Sequence, residues 1–148
     1  MAKRPHPPDG PCPVARSVDL IGDRWTLLLV RDAFDGTRRF SDFQRGLGVA
    51  RSILAERLRS LVEAGVFEVQ PASDGSSYQE YVLTHRGEEL FPVVVALRQW
   101  GEQHLFAPGE AHSQLVETHS GQALGLMQPT GADGNVLGPR ATSVKKVA

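Results

Sequence analysis

The sequence predicts an α+β chain with several helices and one β-hairpin, and three observations predict it. Residues 50–64 place Ile53, Leu54, Leu58, Leu61 and Val62 at the recurrence of one helical face. Before them, Phe40, Phe43 and Leu47 mark a shorter helix, with Gly46 and Gly48 punctuating the turn between the two. After them, residues 66–70 and 78–83 read as strands flanking a polar tip at 72–77.

Taken in order, residues 1–11 hold Lys3, Arg4 and four prolines, which predicts a flexible N-terminal arm. Pro13 suits a first helical turn, and Val14, Val18, Leu20 and Ile21 give a short helix ending at Gly22. Asp23 is placed to cap a second helix carrying Trp25, Leu28, Leu29 and Phe34, broken at Gly36 and Thr37. Residues 38–40 are short and extended, and are expected to add a small third strand beside the hairpin. Ser41 and Gln44 have the spacing of a capping box for the short helix. The longer helix has Ala50 where a hydroxyl would normally accept free amides, and Gly65 stops it.

Beyond the hairpin, Thr84 is placed to cap a long helix over about 85–106, with a bend at Pro92. Its apolar residues spread over more than one stripe, a surplus that predicts burial against the same helix of a second copy. Burial against helices of its own chain is the alternative. The expected dimer surface is Val14, Val18, Leu90, Val94, Leu97, Trp100 and Leu105. Residues 107–148 turn rich in Gly, Ser, Thr and Pro, with weak strands expected at 114–117, 123–127 and 141–147. This gives three segments: an arm at 1–11, a main domain at 12–106 and a partly ordered, β-like extension at 107–148. Helix, tight turn, longer helix and hairpin, in that order, is a winged helix-turn-helix, here with an N-terminal helix and a long C-terminal dimerisation helix.

Composition narrows the function. The chain has 148 residues, 41% of them hydrophobic, enough for one core. No run approaches the roughly 18 apolar residues of a membrane span, and no apolar stretch follows the basic start as in a signal peptide. A single cysteine excludes an intrachain disulfide and a cysteine-only metal site, so the cytoplasm is the expected compartment. Net charge is −1, but within 38–65 six arginines face three acids, a local positive balance that suits phosphates. No phosphate loop, spaced zinc set or nucleophile elbow is present, so neither an enzyme nor a cofactor is expected. His104, His112 and His119 would meet on a metal only through folding that the sequence does not specify.

A recognition helix reads base edges from the first turns of its exposed face. Those residues are Ala50, Arg51, Ser52 and Ala55, with Arg57 and Arg59 further along. Arg51 is the first candidate for a bidentate bond to guanine, supported by Ser52. Glu56 needs a neighbour to orient it, either Arg59 or Ser52. Arg38, Arg39 and Arg45 suit phosphate contacts, and the hydroxyl-rich tip with Ser76 is a wing lacking a basic residue. Trp25 and Phe40 are expected in the core, whereas Trp100 would line a dimer seam or an effector pocket. Cys12 stands beside a helix start with Arg16 one turn on, a setting that favours a thiolate sensor; a small apolar residue is the alternative.

The chain resembles the HxlR-type family of bacterial winged-helix regulators over about 12–106. The matching segments are Cys12-Pro-Val, Leu20-Ile-Gly-Asp-Arg-Trp-Thr-Leu-Leu28, Arg39-Phe-Ser-Asp-Phe43 and Leu54-Ala-Glu-Arg-Leu-Arg-Ser-Leu-Val-Glu-Ala-Gly65. Glu80-Tyr-Val-Leu-Thr84, Gly87 and the Trp100-Gly101 pair complete the set. The resemblance implies a homodimeric transcription factor, and with the order of elements the expected function is a repressor acting on double-stranded DNA. The first helix and the long last helix would form the dimer. It also implies release by a small molecule, or by an electrophile or oxidant acting at Cys12. The family's usual Ser-Gln-Arg is replaced here by Ala50-Arg-Ser52, and a frequent arginine by Tyr78, which implies a different operator and a weaker wing contact. The other reading is a protein-interaction module on the same scaffold, without sequence-specific DNA binding.

Overall fold

In the computed structural model the described residues are 10–147. They run α1 (Pro13–Ile21), α2 (Arg24–Phe34), α3 (Phe40–Leu47), α4 (Arg51–Glu63), β1 (Phe67–Pro71), β2 (Gln79–Leu83), α5 (His85–Glu88) and α6 (Phe91–His104), then a 3-10 turn at Pro139–Ala141. The chain divides into two compact units, one ending at Phe91 and one beginning at Pro92. The boundary expected after 106 therefore falls inside the second unit. Most of the arm expected at 1–11 lies outside the described residues.

In the first unit, α1 begins at Pro13 with Cys12 as its N-cap. Asp23 caps α2 by accepting from the amides of Trp25 at 3.0 Å and Thr26 at 3.1 Å. Burial works against ionising Asp23, but the hydroxyl and amide of Thr26, the Arg57 guanidinium and the Trp25 amide together hold its carboxyl below the usual range. Gly48 and Gly65 end the α3 and α4 turns at φ +64° and +77°, a region where a Cβ would be strained. The core joins Leu29 and Val30 of α2, Phe43 of α3, Leu54, Leu58 and Leu61 of α4, and Val66 and Phe67. Phe43 and Phe67 meet edge to face, 6.2 Å between centroids. Trp25 and Phe40, expected in the core, are only half-buried. Ile53, expected on the inner face of α4, is 38% exposed.

β1 and β2 pair antiparallel, Phe67 opposite Leu83 and Pro71 opposite Gln79. The expected third strand at 38–40 is reduced to one bond, from the Tyr81 amide to the Arg38 carbonyl at 2.8 Å, leaving a two-stranded sheet. The capping box is also corrected. α3 starts at Phe40 with Arg39 as N-cap, so Ser41 already lies within the helix, where its hydroxyl cannot cap. Gln44 instead donates to the Val49 carbonyl at 3.4 Å.

The single long helix expected at 85–106 is two helices. Pro92 has no amide to bond back to Glu88, and its ring crowds that carbonyl, so the helix ends there and restarts at Phe91 with Pro92 in its first turn. α5 is pinned to the α4–β1 turn. The Thr84 hydroxyl donates to the carbonyls of Gly65 and Val66 while accepting from the Gly87 amide. Arg86 donates to the orphan carbonyl of Ala64 at 2.9 Å.

The second unit is α6 with the extension folded along it. Gln99 pairs like a strand residue, donating to the Gly125 carbonyl at 2.9 Å and accepting from the Met127 amide at 2.7 Å. Arg98 reaches the carbonyl and hydroxyl of Ser113. Of the weak strands expected, 114–117 and 123–127 supply one bridge, Val116 to Ala123, and 141–147 forms none; a second bridge joins Thr130 to Val136. Proline and glycine at 129, 131, 134, 138 and 139 interrupt any longer ladder. Among the described residues no helix is long and apolar enough to cross a membrane.

Candidate nucleic-acid interface

α4 turns Leu54, Leu58 and Leu61 inward and leaves Arg51, Ser52, Ala55, Glu56 and Arg59 exposed on the opposite side. That exposed strip follows the one-turn spacing of a helix, so its side chains project together. The Arg51 guanidinium lies over the Phe40 ring, 4.9 Å from its centroid, and the residue remains exposed. Among the described residues no side chain caps α4 at Ala50, which has extended φ and ψ. Its first-turn amides are left to solvent or to a ligand.

Arg57 departs from the expected face. It turns toward the start of α2, where Nε lies 3.2 Å from Asp23 Oδ2. It also lies 4.0 Å from Glu56, which takes neither Ser52 nor Arg59 as its partner. Arg57 therefore ties α4 to α2.

Three arginines border the groove beside the hairpin, and each stands next to an acid. Arg39 bonds Asp74 at the tip, lies 3.4 Å from the Ser76 hydroxyl and rests over the Tyr78 ring at 5.0 Å. Arg45 pairs with Asp42 one turn earlier on α3. Arg38 is half-exposed, 3.7 Å from Glu80. The Arg45 pair is exposed at both ends and exchanges easily, the Arg38 side chain is half-exposed beside a buried partner, and Arg39 is the most tightly held of the three.

The hairpin tip has an internal frame that the sequence reading missed. Glu80, 4% exposed, points from β2 into the loop, and its Oε1 accepts from the Ser73 amide and, at 2.9 Å, from the Ser73 hydroxyl. Those two bonds hold its carboxyl below the usual range against the cost of burial, with Arg38 and Arg39 adding to the effect. Asp74 is held down to about 2, first by the amide and hydroxyl of Ser76 and then by Arg39. An acid within β2, seven residues after a serine of the tip, was the available signal.

Cys12 is exposed, and its Sγ accepts from the Ala15 amide at 3.4 Å at the start of α1. On the expected dimer surface, Val14, Val18, Leu97, Trp100 and Leu105 are each half or more exposed, while Leu90 and Val94 are half-buried. The Trp100 ring lies 5.0 Å from that of His104, and His112 packs on Phe106 at 4.8 Å. Among the described residues no three His, Cys, Asp or Glu side chains group so as to hold a metal ion.

Comparison with known proteins fits this geometry. A family model described as HxlR-like helix-turn-helix matches residues 20–108. An uncharacterized HTH-type transcriptional regulator of Mycobacterium tuberculosis, Rv3095, is 42% identical over 124 residues, covering 75% of this chain and 78% of its own. The crystal structure of PA1607, described as a candidate transcription factor, superposes with TM-score 0.89 at 51% identity, over 95% of this chain and 98% of that one. The redox regulator HypR in its reduced form superposes with TM-score 0.58 at 30% identity, over 64% of this chain and 94% of its own.

Proposed function

The chain belongs to the HxlR-like helix-turn-helix family of transcriptional regulators, and from that premise we propose that it is a homodimeric repressor of a pseudo-palindromic operator. The observation that carries the proposal is the free outer face of α4, with Arg51, Ser52, Ala55 and Arg59 outward over a buried leucine row. In this reading Arg51 reads a base edge with Ser52 beside it. Arg38, Arg39, Arg45 and Arg59 hold phosphates, and Ser76 contacts the backbone at the wing. Arg57 acts indirectly, by fixing the tilt of α4. Action on chromosomal DNA places the protein in the cytoplasm.

The second copy is supported by the apolar side chains that α1 and α6 leave exposed, Val14, Val18, Leu97, Trp100 and Leu105 among them. Release by an oxidant or electrophile at Cys12 is supported by its exposure and by the redox-regulator name of HypR.

The test is footprinting on fragments from the neighbouring promoters. Two protected half-sites are expected, one helical turn of about 10 base pairs apart or a multiple of it. Affinity is expected to fall steeply with added salt. Salt-insensitive binding, or none, removes the operator reading and leaves the interaction module. That module would keep its partner after charge reversal at Arg51.

A further inference from the structure

Two cavities of the first unit share a wall. One, of about 450 Å³, lies among the end of α2, β2 and residues 88–91. Phe34 and Phe91 form one side of it edge to face, centroids 5.1 Å apart, and Tyr81 and Leu83 add further apolar lining. Its charged groups are Arg38 and Glu88. The other, of about 550 Å³, is bounded by Arg39, Arg45, Ser73 and Glu80, the groups of the phosphate face and the wing frame. Arg38 and Thr37 line both.

Arg38 has donors to spare. Its Nη1 lies 3.7 Å from Glu80 Oε2, whose other oxygen is held by Ser73, and among the described residues no hydrogen bond leaves the Arg38 guanidinium, so most of its five N–H groups are unused. A planar fork beside an aromatic pair, in a cavity of ligand size, matches an aromatic acid. We propose that the smaller cavity is an effector site for an aromatic carboxylate that also bears a hydrogen-bond donor. The carboxylate pairs with Arg38, the ring lies against Phe34 and Phe91, and the donor reaches Glu88. Occupancy draws Arg38 off the phosphate face, so the ligand weakens DNA binding by removing one cation from it. That last step rests on the regulator reading; the site itself does not.

The test titrates the full chain with benzoate, 4-hydroxybenzoate and 3-aminobenzoate, with methyl 4-hydroxybenzoate as the uncharged control, followed by calorimetry. The two acids bearing a donor are expected to bind once per chain, at least tenfold more tightly than the ester. Ala33→Phe, which fills the cavity, is expected to weaken them at least tenfold. Glu88→Gln, on an exposed side chain, is expected to weaken 4-hydroxybenzoate while leaving benzoate unchanged, so the proposal stays testable if the filled variant misfolds. With operator DNA, saturating acid is expected to lower affinity and to make the salt dependence shallower by roughly one phosphate contact. No binding by any acid at millimolar concentration, or equal binding of the ester, overturns the site. Binding with unchanged operator affinity overturns the coupling, and acid binding by a chain that recognises no operator overturns the regulator reading alone.

Discussion

Arg51 stands at the first turn of α4 with its guanidinium over the Phe40 ring. Arg51→Ala is expected to cost about 1–3 kcal/mol of operator affinity and to relax discrimination at a single base pair. Binding to a panel of single-base operator variants measures both, and an equal loss on every variant would demote Arg51 to a phosphate contact. Asp74 offers a test with the opposite direction. Asp74→Asn removes an acid from the wing and frees Arg39, so affinity is expected to rise and the log–log salt slope to steepen by roughly 1. The same carboxyl has a pH signature. Its pKa is depressed from 3.8 to about 2, so its bonds stabilise the folded tip above 3.8 and that contribution is lost as the pH falls through about 2. The Ser76 amide resonance is expected to titrate near that lower value, and a midpoint near 3.8 would show that the tip bonds do not form in solution.

At the scale of elements, the missing cap of α4 is the simplest to repair. Ala50 already has the extended backbone of an N-cap, so Ala50→Ser is expected to add about 1 kcal/mol of stability, read as a rise in melting temperature. Gly87 works the other way. A Cβ there would meet the Val66 carbonyl oxygen at 2.2 Å and Leu83 Cδ2 at 2.9 Å. Gly87→Ala is therefore expected to cost about 1–3 kcal/mol or more by forcing α5 off the strand it rests on. Denaturant melts of the two variants should move in opposite directions. Most elements were legible because periodicity and punctuation agreed: the leucine spacing gave α4, Gly65 its end, Asp23 the start of α2. Where the reading failed, a local signal was overruled by its surroundings. Ser41 has capping-box spacing, yet the helix takes Arg39 as its N-cap, two residues earlier. Pro92 was read as a bend because the apolar run continues past it, but its clash with Glu88 divides the run. The arginines proposed to meet phosphates could be named from their excess over acids, whereas the pairing of Arg57 with Asp23 joins residues 34 positions apart and has no sequence signature.

On the scale of the whole molecule, the second unit has Val95 as its only fully buried large apolar side chain among the described residues, against exposed Leu97, Trp100, Leu105, Leu126 and Met127. That balance cannot stabilise a freestanding unit, which is why a second copy is proposed. Replacing Leu97 and Trp100 together by glutamate is expected to yield monomers in sedimentation and to reduce operator binding at least tenfold, since one half-site then acts alone. A variant that remains dimeric would place the seam elsewhere. The wing frame has a consequence for kinetics. A loop whose shape is set by its own carboxylate and serine carries no ordering penalty at encounter, so partners should meet as rigid bodies. Arrival would then be governed by diffusion and charge, with single-phase binding traces and no slow settling step.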